Sequence, residues 1–139
     1  MEVCRLIKIE DRLKGGVCGF WSPKQVINHF SDWAETALVI FEKTRAGLSV
    51  NTEFDDDSYN ANAVAKRITM DWDSSLVEIE NNKQKLVSFL QSLSIEEFNR
   101  SAIYSEWLTG IAEDYMLHHS QLEKWVPDEN PGYSRKADD

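Results

Sequence analysis

Residues 21–41, WSPKQVINHFSDWAETALVIF, decide the fold because they combine a helix start signal with a long apolar stripe. Ser22 is a good N-cap, and Pro23 suits the first helical position, where its missing N–H costs nothing. Gly47 is a residue type that commonly ends a helix. We therefore predict a long amphipathic helix between Ser22 and Gly47. Its apolar stripe recurs at helical spacing and comprises Val26, Ile27, Phe30, Trp33, Ala34, Ala37, Leu38 and Phe41.

Two more helix starts can be read from capping residues. Asp71 is placed to cap a second long helix, which continues to about residue 93 and has a polar centre at residues 81–82. Ser94 and Glu97 have the spacing of a capping box, which predicts one short helical turn.

The remaining periodic segments complete an all-α chain. A last long helix is predicted over residues 107–126, and a short helix over residues 59–68. The acidic stretch FDDDSYN, residues 54–60, is interpreted as a solvated loop because it lacks the glycine and terminal Glu of a calcium loop. No stretch alternates in the manner of a strand, so a helical bundle is the expected fold. The short helix is predicted to place one face towards the core, formed by Ala61, Val64, Ala65 and Ile68.

Composition limits the classes of function. The 139 residues, 42% hydrophobic and 28% charged, predict one domain over residues 1–126 with a loose tail at 127–139. The net charge of −9 argues against nucleic acid as a partner. We expect no membrane-spanning segment, since no apolar run approaches the required length. Cys4 and Cys18 show no metal or disulfide spacing, which favours reduced thiols and a cytoplasmic location.

Two adjacent histidines occur in DYMLHHSQLEKW, residues 114–125. Neighbouring residues of a helix point about 100° apart, so the two side chains cannot share one site. His118 falls inside the apolar stripe, one turn after Asp114, whereas His119 lies on the other side of the stripe. Asp114 and His118 can share a metal ion, or Asp114 can orient His118 as a general base. These two residues are the predicted catalytic pair.

A third ligand is available from the first long helix. Antiparallel packing of the first and last long helices would bring His29 towards Asp114 and His118. Two histidines and one carboxylate form a facial set that holds Fe, Zn, Ni or Mn with open positions. The alternative is purely structural, with His118 as a buried side chain satisfied by a neighbour and His29 at a helix interface.

Trp33 and Trp107 are the predicted ligand-binding aromatic residues among the five tryptophans. The alternative is that all five are core anchors whose indole N–H groups reach surface partners.

The chain resembles the DinB/YfiT-like superfamily over residues 16–125. VCGFWSPKQVINHFSDW resembles its Trp-Ser segment with a later His and Trp, and SYNANAVAKR resembles its Asn-centred short helix. DWDSSLVEIENNKQKLVSFLQSLSIEE is similar to its third helix and following turn, and HHSQLEKW to the final helix of the ClbS/DfsB branch.

This resemblance implies a four-helix up-down-down-up bundle, often a homodimer, with a divalent metal on three histidines in many members. His29 matches the first ligand position and His118 the last, whereas the middle position falls on Asp114. The ClbS/DfsB branch commonly lacks the full triad and can use its pocket without metal. The family's first helix spans about twenty residues, so here it is short or truncated.

The expected function is that of a metal-dependent hydrolase or thiol transferase acting on a small reactive molecule. The alternative is a non-catalytic module that binds a small molecule or dimerises and keeps only a degenerate metal site. Asp114 distinguishes these two hypotheses. In the enzyme it is a variant metal ligand, and in the non-catalytic module it is the sign of a lost metal site.

Overall fold

The computed structural model describes residues 2–127, so most of the predicted tail lies outside the described residues. These residues form no β-strand, only an isolated bridge between Cys18 and Trp21. The prediction of an all-α chain is therefore confirmed. Six helices follow one another: α1 (Glu2–Arg5), α2 (Pro23–Arg45), α3 (Asp56–Lys66), α4 (Trp72–Gln91), α5 (Ile95–Asn99) and α6 (Ala102–Glu123).

The predicted boundaries of α2 are confirmed. The Ser22 side chain accepts a hydrogen bond from the Gln25 N–H, and the Gln25 side chain accepts one from the Ser22 N–H. This reciprocal capping box satisfies two backbone donors that a helix start otherwise leaves without partners. At the other end Gly47 has a φ of +72°, a left-handed conformation that favours glycine just after a helix.

The capping signals of α4 and α5 also hold. Asp71 accepts from the Ser74 N–H at 2.7 Å and begins α4. Ser94 and Glu97 form the predicted capping box and begin α5.

Of the three long helices, α2 and α4 run in the same direction and α6 runs in the opposite direction. Phe41, near the end of α2, contacts Phe89 near the end of α4, so these two helices run parallel. Phe41 also contacts Tyr104 near the start of α6, and Phe30 contacts Tyr115 farther along α6. Helices α2 and α6 are therefore antiparallel, and α3 lies on the connection between the parallel pair.

Two helices differ from their predicted extents. Helix α6 begins five residues earlier than expected because Ser101 acts as N-cap and accepts from the Ile103 N–H. Helix α3 begins at Asp56, so part of the predicted acidic loop is helical, and its N-cap is Asp55. The predicted apolar face of α3 is wrong, since Ile68 is 73% exposed and the buried helical residue is Ala63.

Ahead of α2, the described residues form the four-residue helix α1 and a 3₁₀ turn at Ile9–Asp11. Three long helices thus form the main body, rather than the four of the predicted bundle. None of the helices within residues 2–127 is both long and apolar enough to cross a membrane.

The core consists of two apolar clusters on either side of a polar layer. Ile27, Ile79 and Leu122 belong to the first cluster, and Phe41 and Leu86 to the second. Burial of such side chains is the main favourable term in folding.

The polar layer between the clusters lies where α2 packs against α4. Asn82 Nδ2 donates to the Ser31 backbone carbonyl and to Ser31 Oγ, and Ser31 Oγ donates to Glu78 at 2.9 Å. Of the polar centre predicted at residues 81–82 of α4, Asn81 is exposed, whereas Asn82 is buried and hydrogen-bonded in this polar layer. The layer fixes the register of the two parallel helices, since a buried polar group without a partner is costly.

Arg67, the C-cap residue of α3, connects three helices although it is only 2% exposed. Its Nε donates to Glu78 on α4 at 2.5 Å, and its two terminal nitrogens donate to Asp32 and Glu35 on α2. The planar guanidinium is suited to several carboxylates at once. Since α3 buries one helical residue, this ion network provides much of its attachment.

The network changes the acidity of its carboxylates. Burial opposes ionisation of Asp32, but hydrogen bonds from Tyr59 and Arg67 and the Arg67 charge outweigh it and keep the pKa of Asp32 below its ordinary value. The hydrogen bond from Lys66 is the main cause of the lowered pKa of Glu35. Both groups are therefore ionised at neutral pH.

We predict that Arg67→Met lowers the free energy of unfolding by about 3 kcal/mol, because it leaves partly buried carboxylates without their cation. Lys66→Met is the matched control, since Lys66 contacts Asp32 and Glu35 from a side chain that is 56% exposed. Exposed ion pairs contribute at most about 1 kcal/mol. Urea unfolding of both variants measures the difference, and equal losses would contradict the role given to Arg67.

We also predict that acid removes this stabilisation. A carboxyl group with a lowered pKa in the folded state stabilises the fold above its unfolded pKa and loses that contribution as pH falls. For Asp32 and Glu35 the loss begins below about pH 4.5. Urea unfolding of the wild type and Arg67→Met at several pH values should therefore show a shallower acid dependence in the variant. Parallel curves would contradict the prediction.

Candidate metal centre

His29, Asp114 and His118 meet where α2 packs against α6. His29 Nε2 lies 2.8 Å from Asp114 Oδ2, and His118 Nε2 lies 3.4 Å from Asp114 Oδ1. One ligand atom from each residue can be chosen so that all three lie within 4.8 Å of one another. The antiparallel packing predicted from the sequence thus brings the three predicted ligands together. His29 and Asp114, which are in direct contact, are 85 positions apart in the sequence.

A hydrogen bond from His29 to Asn60 on α3 fixes the orientation of the His29 ring. Asn60 Oδ1 lies 3.0 Å from His29 Nδ1 and 3.1 Å from Trp33 Nε1. The indole nitrogen can only donate, so the Asn60 atom that faces it is the oxygen, an acceptor. His29 Nδ1 must then carry a hydrogen to bond the same oxygen. In the neutral ring this leaves the Nε2 lone pair directed at Asp114.

His118 has the same arrangement with a partner on its own helix. Its Nδ1 lies 2.6 Å from Gln121 Oε1, which accepts the Nδ1–H hydrogen bond. The Nε2 atom is again the one that faces Asp114. Both rings are buried, with 4% exposure for His29 and 5% for His118. Fixing one ring nitrogen as a donor so that the other can bind metal is the usual second-shell arrangement of metal-ligating histidines.

This geometry fits a divalent cation. Two neighbouring ligands on one ion, each at about 2.1 Å, are roughly 3.0–3.4 Å apart in octahedral or tetrahedral geometry. The two nitrogen–oxygen distances in this cluster, one to each carboxylate oxygen of Asp114, are 2.8 and 3.4 Å. Lone pairs of a nitrogen and a carboxylate oxygen repel at such a distance unless a proton or a cation lies between them. The group could therefore hold a metal ion of the Zn, Fe, Ni or Mn type.

His119 lies outside this cluster. Its ring contacts Tyr115 at 5.8 Å between centroids, and its Nδ1 lies 3.6 Å from Glu123 Oε1. The two adjacent histidines therefore serve different environments, as helical geometry requires.

A cavity of about 690 Å³ opens next to the cluster, and both His29 and Asp114 line it. Its size is in the range of small-molecule sites. Trp33 and Trp107, the two predicted ligand-binding aromatic residues, both line this cavity, together with Phe54. His118 is not among its lining residues, so it supports the cluster from behind.

The lining of the cavity is acidic, and we call its carboxylates the rim carboxylates. The described residues that line it include no Lys or Arg. They include four carboxylates: Glu53, Asp56, Glu106 and Asp114. A negative potential at the opening is the consequence, and it favours cationic over anionic ligands.

Sequence reasoning missed the residues that orient the histidines. Gln121 stands three residues after His118, a helical spacing that allows contact and could have revealed it. Asn60 could have been found only from the polar face of α3, on which Asn60, Ala63 and Arg67 recur at spacings of three and four.

The cysteines take no part in this site. Cys4 is fully buried in the first apolar cluster, and burial raises the pKa of its thiol to about 12. A thiol of that acidity is not a nucleophile at neutral pH. Cys18 is also a free thiol.

Comparison of the chain with protein-family models, curated proteins and solved structures gives no significant match. The protein is therefore classified here by its fold and by the cluster alone. Residues 2–127 form an all-α structure in which two histidines and one carboxylate meet beside an aromatic cavity.

Proposed function

We propose that this protein is a metal-dependent hydrolase of the DinB/YfiT-like type that acts on a small molecule in the cavity beside His29 and Asp114. One observation carries the proposal. Two buried histidines, each held as an Nδ1–H donor by an amide oxygen, direct their Nε2 atoms to one carboxylate that lines the cavity.

The family part of the proposal is supported by topology and by ligand positions. Helices α2 and α4 run parallel with α3 on their connection, and α6 returns antiparallel to α2. This order agrees with the down-down-up part of the bundle that the sequence resemblance implies. His29 and His118 occupy the helices expected for the first and last ligands.

A bound divalent ion would supply a water molecule of lowered pKa at neutral pH. His29 and His118 would hold the ion through their Nε2 atoms. Asn60 and Gln121 accept hydrogen bonds from the Nδ1–H groups of the two histidines and so keep those nitrogens protonated. Asp114 is 37% exposed on the cavity side, so it can ligate through one oxygen and accept a proton from water at the other. The proposal therefore gives the general-base role to Asp114 and uses His118 as a ligand.

The charge of the cavity favours hydrolysis over thiol transfer. A transferase would have to bind a thiolate, and most cellular thiol cofactors carry further negative charge. An anion of this kind would meet four rim carboxylates and, among the described lining residues, no basic side chain. Water carries no charge and meets no such barrier.

Two further expectations remain part of the proposal. The free cysteines Cys4 and Cys18 favour the cytoplasm as the location. Homodimerisation is favoured by the exposed apolar side chains of α6, where Met116 is 63% and Leu117 54% exposed.

We predict that tag-free protein, incubated with Zn²⁺ or Ni²⁺ and then desalted, retains about one equivalent of metal. His118→Ala should retain less than about a tenth of an equivalent, since a carboxylate and one imidazole are too few ligands for a tight site. Elemental analysis of the desalted proteins makes the measurement.

Matched variants separate the site from general histidine binding. His119→Ala removes the adjacent histidine and should keep the metal, because His119 lies outside the cluster. Asn60→Leu should weaken affinity by roughly 10- to 100-fold, the usual effect of losing a second-shell partner. Wild-type protein that keeps no metal, or His118→Ala that keeps as much as wild type, would refute the metal centre and leave the non-catalytic binding module as the better account.

A further inference from the structure

The cavity contains an aromatic corner beside His29. Its members are Trp33, Phe54 and Trp107, which we call the aromatic box. The ring centroids lie 5.6 Å apart for Trp33–Phe54, 5.7 Å for Trp33–Trp107 and 5.8 Å for Phe54–Trp107. The corresponding planes are inclined by 75°, 55° and 76°. Rings at these distances and inclinations contact one another edge to face, so a ligand would meet their surfaces on the cavity side rather than a space between them.

The aromatic box is held in place by contacts behind it. Trp33 Nε1 donates to Asn60 at 3.1 Å, and the Trp33 ring packs on Tyr59 with 4.2 Å between centroids. Tyr59 is in turn hydrogen-bonded to Thr36 and to the Asp32 backbone carbonyl. A wall fixed in advance loses little conformational entropy when a ligand binds.

The ion-paired Lys and Arg side chains of the described residues pair with carboxylates away from the cavity. Within residues 2–127, no Lys or Arg side chain forms an ion pair with Glu53, Asp56 or Glu106. The nearest basic residues along α3, Lys66 and the C-cap Arg67, pair with carboxylates of α2 and α4 instead. The negative charge of the rim is therefore available to a ligand.

We infer that the cavity binds a small molecule with a cationic head, a protonated amine or a quaternary ammonium group, seated in the aromatic box. The faces of Trp and Phe attract such a cation, and the rim carboxylates add to this attraction. An anion is repelled by the rim, and a neutral apolar head uses the rings but gains nothing from the carboxylates. The inference rests on the proposed function, because it names the substrate class for the same cavity.

The aromatic box also lies beside the histidine–aspartate cluster. Trp33 contacts His29 with 6.4 Å between ring centroids, and both residues line the cavity. A head seated on Trp33 therefore places the bond to be hydrolysed only a few bonds away from the cationic nitrogen.

The test compares three ligands of the same shape and different charge. They are choline, its neutral carbon isostere with a tert-butyl group in place of trimethylammonium, and the anion tert-butylacetate. Isothermal titration calorimetry should find choline bound roughly tenfold more tightly than the neutral isostere. Tert-butylacetate should not bind measurably. Higher salt should weaken choline binding alone, since only that complex is stabilised by exposed charges.

Variants localise the binding. Glu106→Gln should weaken choline binding by about threefold, whereas Glu113→Gln should not, because Glu113 is on the same helix but does not line the cavity. Trp107→Leu should remove the preference for choline, with thermal unfolding as the check that the variant is folded. Equal affinity for choline and its isostere, or unchanged choline binding in both Glu106→Gln and Trp107→Leu, would overturn the inference.

The titrations are carried out on EDTA-treated protein and on metal-loaded protein, so that the two proposals fail separately. Choline preference in a protein that takes up no metal supports the cationic ligand and refutes the metal-dependent hydrolase. Metal uptake without choline preference refutes the cationic ligand alone.

Discussion

Arg67 is the constraint on which the arrangement of the site depends. Helix α3 has one buried helical residue, Ala63, so apolar burial alone attaches it weakly. The buried guanidinium at the end of α3 provides the missing attachment by contacting three carboxylates on α2 and α4, namely Asp32, Glu35 and Glu78. Asn60 lies two turns earlier on α3, where it holds the Nδ1 atom of His29. An ion network outside the cluster therefore positions the side chain that orients His29.

The buried ion network fixes the position of α3 at the cost of desolvating its charged groups. Replacing a buried ion network with apolar residues is often neutral or stabilising. The presence of such a network is therefore weak evidence that it makes the fold more stable than apolar packing would. Here it adjoins the polar layer of Ser31, Asn82 and Glu78, which fixes the register of α2 against α4. Apolar faces tolerate sliding, whereas paired polar groups do not. The cluster at the α2–α6 interface depends on the position of α2. Helix α3 is held in place by the contacts of Arg67 with both α2 and α4.

The elements that could be predicted from the sequence are those governed by local rules. The cap at Ser22 and the histidine spacing around Asp114 and His118 depend on neighbours within one or two turns, and both were read correctly. The buried face of α3 is predicted wrongly, because the prediction places apolar side chains there. The large side chain that is buried at the C-terminal end of the helix is the charged Arg67. Asn60 escaped notice for the same reason, since its role depends on a partner 31 positions away on another helix. Polar burial is decided by tertiary pairing, which a single sequence does not display.

The central claim is that one cation binds between the two histidines and Asp114. The most direct test is a crystal structure of Zn²⁺- or Ni²⁺-loaded protein with anomalous diffraction recorded on both sides of the metal absorption edge. The account predicts a single anomalous peak about 2.0–2.2 Å from His29 Nε2, His118 Nε2 and an Asp114 oxygen, with Asn60 and Gln121 still bonded to the Nδ1 atoms. A cluster without a peak in metal-loaded crystals, or a metal bound through Nδ1, would contradict it.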